Sequence, residues 1–102
     1  MKVENADDNI IYTFSEYNTI SIPVKYKASL AAALKECLFA MINAIGFVVD
    51  IYPFTIRSVG SLSGTFGIEY VDMLFVHNNI NKNKCFVTKD EAIEIIKHVE
   101  YN

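Results

Sequence analysis

"LFVHNNINKNKCFV", residues 74–87, holds the decision between a fold element and a chemical site. Two apolar runs flank the polar stretch "NNINKNK" (78–84), with His77 closing the first run and Cys85 opening the second. Asn and Lys are turn formers with little to bury, so the stretch reads as a hairpin, a polar turn between two strands. The rival reading makes His77 and Cys85 a base and a nucleophile, which requires mutual contact and a third group orienting the imidazole. No strained nucleophile turn or oxyanion-hole loop accompanies them. A zinc site fares no better, because Cys37, His77, Cys85 and His98 contain no closely spaced ligand pair. The hairpin is therefore expected, with His77 at a strand end and Cys85 in the core. Neither a metal nor a cofactor site is expected.

Working outward, "TFGIEYVDMLFVH" (65–77) is the longest strand candidate. Phe66, Ile68, Tyr70, Leu74 and Val76 share one face, and Val71, Met73 and Phe75 the other, the pattern of a central strand. Asp72 breaks that apolar face, and a bend or bulge is expected to turn it outward. Glu69 and Asp72, three apart on a regular strand, would face opposite ways, which argues against a general acid–base pair. Before it, "FVVDIYPFTIR" (47–57) reads as a strand and "SVGSLSG" (58–64) as a turn. The glycines of "GSLSGTFG" (60–67) match neither a dinucleotide fingerprint nor a P-loop.

"SLAAALKECLFAMINAIG" (29–46) is a helix candidate whose Leu30, Leu34, Leu38, Met41 and Ile45 recur on one stripe, with Ser29 to cap it and Gly46 to end it. "TKDEAIEIIKHVEYN" (88–102) is a second, opened by the reciprocal cap Thr88-x-x-Glu91. "NIIYTF" (9–14) and "TISIPVKYK" (19–27) alternate as strands around a loop at 15–18, and Pro23 puts the second of them at a sheet edge. Residues 1–8 are expected to fray. The resulting order is ββαβββα, an α+β domain with an antiparallel sheet and two helices on one face. Leu34, Leu38, Met41, Phe54, Ile95 and Ile96 are expected in its core.

Composition agrees with this and narrows function. At 102 residues the chain fits one domain, and 52% hydrophobic against 21% charged residues excludes intrinsic disorder. Six tyrosines and seven phenylalanines suit a β-containing core. A net charge of −3 argues against direct nucleic-acid binding, which needs concentrated Lys and Arg. Two cysteines are too few for a secreted disulfide framework and are expected to be reduced. The polar opening has no signal-peptide character, and the apolar run at 37–49 is too short to span a bilayer, so the expected location is cytoplasmic with no membrane partner.

Three short anchors carry a family resemblance: "SIPVKY" (21–26), "IYPF" (51–54) and "LFVHNNI" (74–80). Together they resemble the uracil-DNA glycosylase inhibitors of staphylococcal type, which have a Leu-Pro before a central helix, Ile-Tyr-Pro-Phe after it, and a strand ending in Leu-Tyr-Leu-His-Asn. The likeness covers about residues 20–80. The family's N-terminal helix has no counterpart here, and this chain's C-terminal helix has none there. That family acts as a DNA mimic; 12 acidic against nine basic residues is a thin supply of carboxylates for such mimicry. The resemblance implies a non-enzymatic binding or inhibitor protein, phage- or mobile-element-encoded, with a protein partner among DNA-processing or host-defence enzymes. The family's contact carboxylates have no assigned counterparts here; the candidate contact residues Glu69, Tyr70, Asp72 and His77 come instead from the long strand 65–77, as rim or anchor groups of a partner-facing patch. The alternatives are a small enzyme or ligand-binding domain using Cys85 and His77, and a structural protein that pairs as a homodimer through surplus apolar surface.

Overall fold

The structure, a computed structural model, describes residues 1–43, 46–63 and 68–101, with side chains for all of these except residues 43 and 60–72. Seven strands and two helices follow one another as β1 (Lys2–Ala6), β2 (Asn9–Ser15), β3 (Asn18–Pro23), α1 (Lys27–Asn43), β4 (Val48–Ile51), β5 (Phe54–Ser63), β6 (Ile68–Asn78), β7 (Asn83–Thr88) and α2 (Lys89–Tyr101). The α+β class holds: both helices and both sheets share one hydrophobic core. The strands, however, form two antiparallel meanders, β1-β2-β3 and β4-β5-β6-β7, instead of one ladder.

Four local expectations change, each for a physical reason. Residues 2–6, where fraying is expected, form β1 and pair with β2, from Lys2 opposite Thr13 to Ala6 opposite Asn9. Asp7, with φ of 55°, supplies the left-handed step that a two-residue turn requires. The strand expected through residue 27 stops at Pro23, which has no N–H to extend the ladder, and a single 3-10 turn at Val24–Tyr26 leads into α1. The strand expected at 47–57 is two strands, split by a turn at Tyr52-Pro53. Finally, the turn expected at 58–64 is strand as far as Ser63, so β5 and β6 form one long hairpin. Residues 64–67, from the glycine-containing stretch, lie outside the described residues, as does Ile45.

The core follows the alternation of the strands. Ile10, Tyr12, Ile20 and Ile22 from the first meander, and Phe54, Ile56, Leu74, Val76, Cys85 and Val87 from the second, are buried with Leu30, Leu34 and Cys37 of α1 and Ala92, Ile95 and Ile96 of α2. Leu34, Phe54, Ile95 and Ile96 are thus core residues as expected, while Leu38 and Met41 are only half-buried at its margin. The cap of α2 is the reciprocal one: Thr88 N–H donates to Glu91 Oε1 at 2.8 Å and Glu91 N–H to Thr88 Oγ1 at 3.2 Å.

The two meanders meet along β3 and β7, their facing edges, and the join is made by asparagine side chains. Asn18 behaves as a strand of one residue: its Nδ2 donates to Phe86 O at 2.6 Å, and Phe86 N–H donates to its Oδ1 at 2.8 Å. Ser21 is held from both sides, its N–H donating to Asn83 Oδ1 (3.0 Å) and its carbonyl accepting from Asn78 Nδ2 (3.1 Å) and Asn81 Nδ2 (2.9 Å). An amide side chain carries the same donor and acceptor as a peptide, so it satisfies edge groups where the backbones stand too far apart to ladder. The exposed-edge hazard of both strands is removed by the same contacts.

Candidate functional site

The hairpin of residues 74–87 settles its own question. β6 and β7 pair with Val76 opposite Cys85 and His77 opposite Lys84. Successive side chains point to opposite faces, so Cys85 enters the core with Val76 while His77 lies on the far face. The two groups proposed as base and nucleophile are separated by the sheet, and the pair is excluded as a dyad. Burial, with a smaller contribution from the Glu91 carboxylate, pushes the Cys85 thiol up to about 12. Cys37 is raised to about 12 by burial and by Glu36. Neither sulfur offers a thiolate near neutral pH. Among the described residues no group of three or more His, Cys, Asp or Glu could hold a metal ion.

With both helices on one side, the second meander has a helix-free face, and its composition is read from the registers. One cross-strand row is Val48, Arg57, Phe75 and Phe86; the next is Asp50, Thr55, His77 and Lys84. Phe75 and Phe86 meet at 4.8 Å between ring centroids, tilted by 49°. Phe86 remains 43% exposed even so. Around this pair stand the exposed Arg57, Lys84 and Asp50 and the half-buried His77 and Thr55. At one end the polar rim is tied down: Thr55 Oγ1 donates to Asp50 Oδ1 (2.7 Å) and accepts from Asn79 Nδ2 (2.9 Å), while Asn79 N–H donates to Pro53 O (2.9 Å). An apolar centre ringed by oriented polar groups is the anatomy of a protein-binding patch.

The remaining candidates lie further along β5 and β6. β4 pairs no further than Arg57 and β7 no further than Met73, so among the described residues Gly60–Ser63 and Ile68–Val71 pair with each other alone, as a two-stranded ribbon. Glu69 stands opposite Leu62 and Tyr70 opposite Ser61 on this ribbon. Asp72 falls at a register shift: Val59 faces Met73 and Gly60 faces Val71, leaving Asp72 unmatched. This is the bulge the sequence predicts, and it breaks the strict alternation between Glu69 and Asp72. The side chains of Glu69, Tyr70 and Asp72 lie outside the described residues. His77 is thus on the helix-free face, Glu69 and Tyr70 are on the ribbon that continues its two middle strands, and Asp72 is at the bulge where the ribbon begins.

The three sequence anchors also converge in space. Asn78 of the third reaches Ser21 of the first, Asn79 of the third bonds Pro53 of the second, and Tyr26 packs edge-on against Tyr52 with centroids 5.7 Å apart. Residues that the sequence reading missed are Arg57, Phe75 and Phe86; pairing the hairpin in register from Val76 and Cys85 was the signal that would have set the two rings side by side. No helix among the described residues is long and apolar enough to cross a membrane. Comparison with known proteins finds no matching family model, no similar curated protein and no similar solved structure.

Proposed function

We propose that this chain is a non-enzymatic binding protein that grips a protein partner with the helix-free face of β4–β7 and the ribbon continuing it. The observation that supports this reading is the Phe75–Phe86 pair, held on a four-stranded sheet and rimmed by Arg57, His77, Lys84, Asp50 and Thr55. Aromatic anchors at the centre of a polar ring carry most of the free energy of protein association. The two thiols, both buried, are the strongest nucleophiles of the described residues, and neither is poised to react. The anchors at 21–26, 51–54 and 74–80 favour an inhibitor of a DNA-processing or host-defence enzyme, with uracil-DNA glycosylase the first target to try. The described charges of the face, Arg57 and Lys84 against Asp50, are not an array of carboxylates. Recognition therefore rests on the aromatic centre, and any phosphate mimicry falls to Glu69 and Asp72.

The experiment is a titration of purified uracil-DNA glycosylase with the chain, read by uracil release and by calorimetry, with affinity capture from the native host for other targets. A stoichiometric complex weakened by Phe86→Ala and by Glu69→Lys/Asp72→Lys supports the reading. A complex indifferent to all three substitutions removes this surface from it, and absence of any complex removes the function.

A further inference from the structure

The exposed side of α1 carries a pattern that burial in this chain does not use. Its inward residues, Leu30, Ala33, Leu34 and Cys37, are in the core. On the opposite side Ala28, Ala32, Lys35, Phe39 and Ile42 are all exposed, at spacings of four, three, four and three. That is a heptad seam, the spacing that faces a helix toward another helix. Phe39 is 72% exposed and Ile42 77%, and beside them Val48 of β4 is 51% exposed. Phe39 stands as a ridge between two shallow apolar grooves, one lined by Leu38, Met41 and Ile42 and the other by Ala40, Phe47 and Val48.

We infer that this seam is a two-fold interface with a second copy of the chain, α1 packing antiparallel on α1. The choice of occupant comes from self-complementarity. α1 runs from Lys27 to Asn43, so its midpoint falls at Lys35 and Glu36. A two-fold axis there sets Ala32 against the partner's Phe39 and Ala28 against the turn bearing the partner's Ile42. The small residues occupy one half of the seam and the large ones the other, and the reversed copy fits large into small. The same axis sets Lys35 against the partner's Glu36, twice by symmetry. A parallel arrangement would instead stack Phe39 on Phe39 and leave Lys35 without the partner's Glu36. Lys35 also pairs with Glu100 of its own α2, and an ammonium with three donors can serve both acids. An isologous contact of this kind closes on itself as a dimer. It meets the helix-free sheet face only at the Val48 edge and leaves the Phe75–Phe86 centre open, so it does not depend on the proposed function.

The test is sedimentation velocity across a dilution series, with disulfide trapping to read geometry. Wild type should be a dimer that dissociates on dilution. Phe39→Glu and Ile42→Glu, both at exposed positions, should each raise the dimer dissociation constant by roughly tenfold or more, with circular dichroism unchanged. Lys35→Cys should form a disulfide-linked dimer on mild oxidation, since the position lies at the axis. Ala28→Cys should not, because two copies of it sit on the order of 20 Å apart in the antiparallel arrangement, beyond disulfide reach. The native thiols, both buried, do not confuse the result. The proposal is overturned if wild type stays monomeric at its highest soluble concentration, if a dimer survives whichever glutamate variant keeps the wild-type fold, or if Ala28→Cys links faster than Lys35→Cys.

Discussion

Asn78 is a fully buried polar side chain, and substituting it tests whether the two meanders are joined as described. Its Nδ2 donates to Ser21 O and its Oδ1 accepts from Ile80 N–H, both at 3.1 Å. Asn78→Ala deletes two hydrogen bonds worth about 1 kcal/mol each. It also strands the Ile80 N–H, whereas Ser21 O keeps its bond from Asn81. With a small cavity added, the expected loss is about 2–4 kcal/mol. Asn78→Asp separates the amide's donor from its shape. The aspartate fills the same volume and still accepts from Ile80, but it sets a buried carboxylate against the Ser21 carbonyl where the amide had a donor. At neutral pH it should cost at least as much as alanine, about 3–5 kcal/mol. Protonation restores a donor toward Ser21 O, so the folded state holds this carboxyl's pKa above the unfolded value of about 3.9. The sign follows: the variant's stability is fully present below about pH 3.9 and is lost as pH rises through the raised folded value. Urea unfolding of wild type, Asn78→Ala and Asn78→Asp at neutral and acid pH measures all of this from the shift in midpoint at constant m. An alanine variant as stable as wild type, or an Asp variant whose deficit is the same at both pH values, would refute the joint.

Alkali should destabilise the fold. Burial holds Tyr12, Cys37 and Cys85 protonated to about 12, against ordinary values of 10.0, 9.0 and 9.0. Stability is therefore fully present below about pH 9, and each group that only the unfolded state has ionised subtracts about 1.4 kcal/mol per pH unit above its unfolded value; a thermal midpoint flat from pH 8 to about 11 would contradict this. Leu34→Ala should cost about 2–5 kcal/mol and the half-buried Leu38→Ala distinctly less, a ranking readable from denaturant midpoints. Asn18→Ala removes both bonds to the Phe86 backbone, but that backbone can rehydrate, so a loss of about 1–2 kcal/mol is expected in the same assay. Cys85→Ser should lower stability yet leave partner affinity intact in folded protein, and calorimetry showing abolished binding with an unchanged fold would return Cys85 to the site.

What the sequence disclosed, it disclosed through local pattern. The reciprocal cap at Thr88 and Glu91, the stripe of Leu30 and Leu34, and the hairpin at 74–87 all arise within a few residues of one another. Asp72 was legible as a bulge because a charge interrupts an apolar face. β1 was not legible: Val3 is the only apolar residue of its first four, and what fixes it is main-chain pairing with β2. The far half of β5 read as a turn because Gly and Ser mark turns, yet the ladder with β6 overrides that tendency. The division into two meanders had no local signal at all, since the amides that join them act between residues 57 to 68 apart. The site divided in the same way. The core position of Cys85 followed from its strand, whereas the aromatic pair needed the register that only the folded hairpin fixes.

The seam of asparagines also bears on how the molecule breathes. Each meander is built from strands adjacent in sequence, so each can assemble by closing short loops, while the seam and the helices must bridge long ones. Side-chain amides replace a ladder at the boundary, so fewer main-chain bonds resist parting there than between any other neighbouring strands. The natural units of sub-global opening are then residues 2–23 and 48–88, with β3 and β7 drawing apart before either meander unravels. Native-state hydrogen exchange would see this as a shared, lower opening free energy for the amide protons of Ser21 and Phe86, which donate across the seam, set against slower exchange at Ile56 and Val76 in the middle of the second meander.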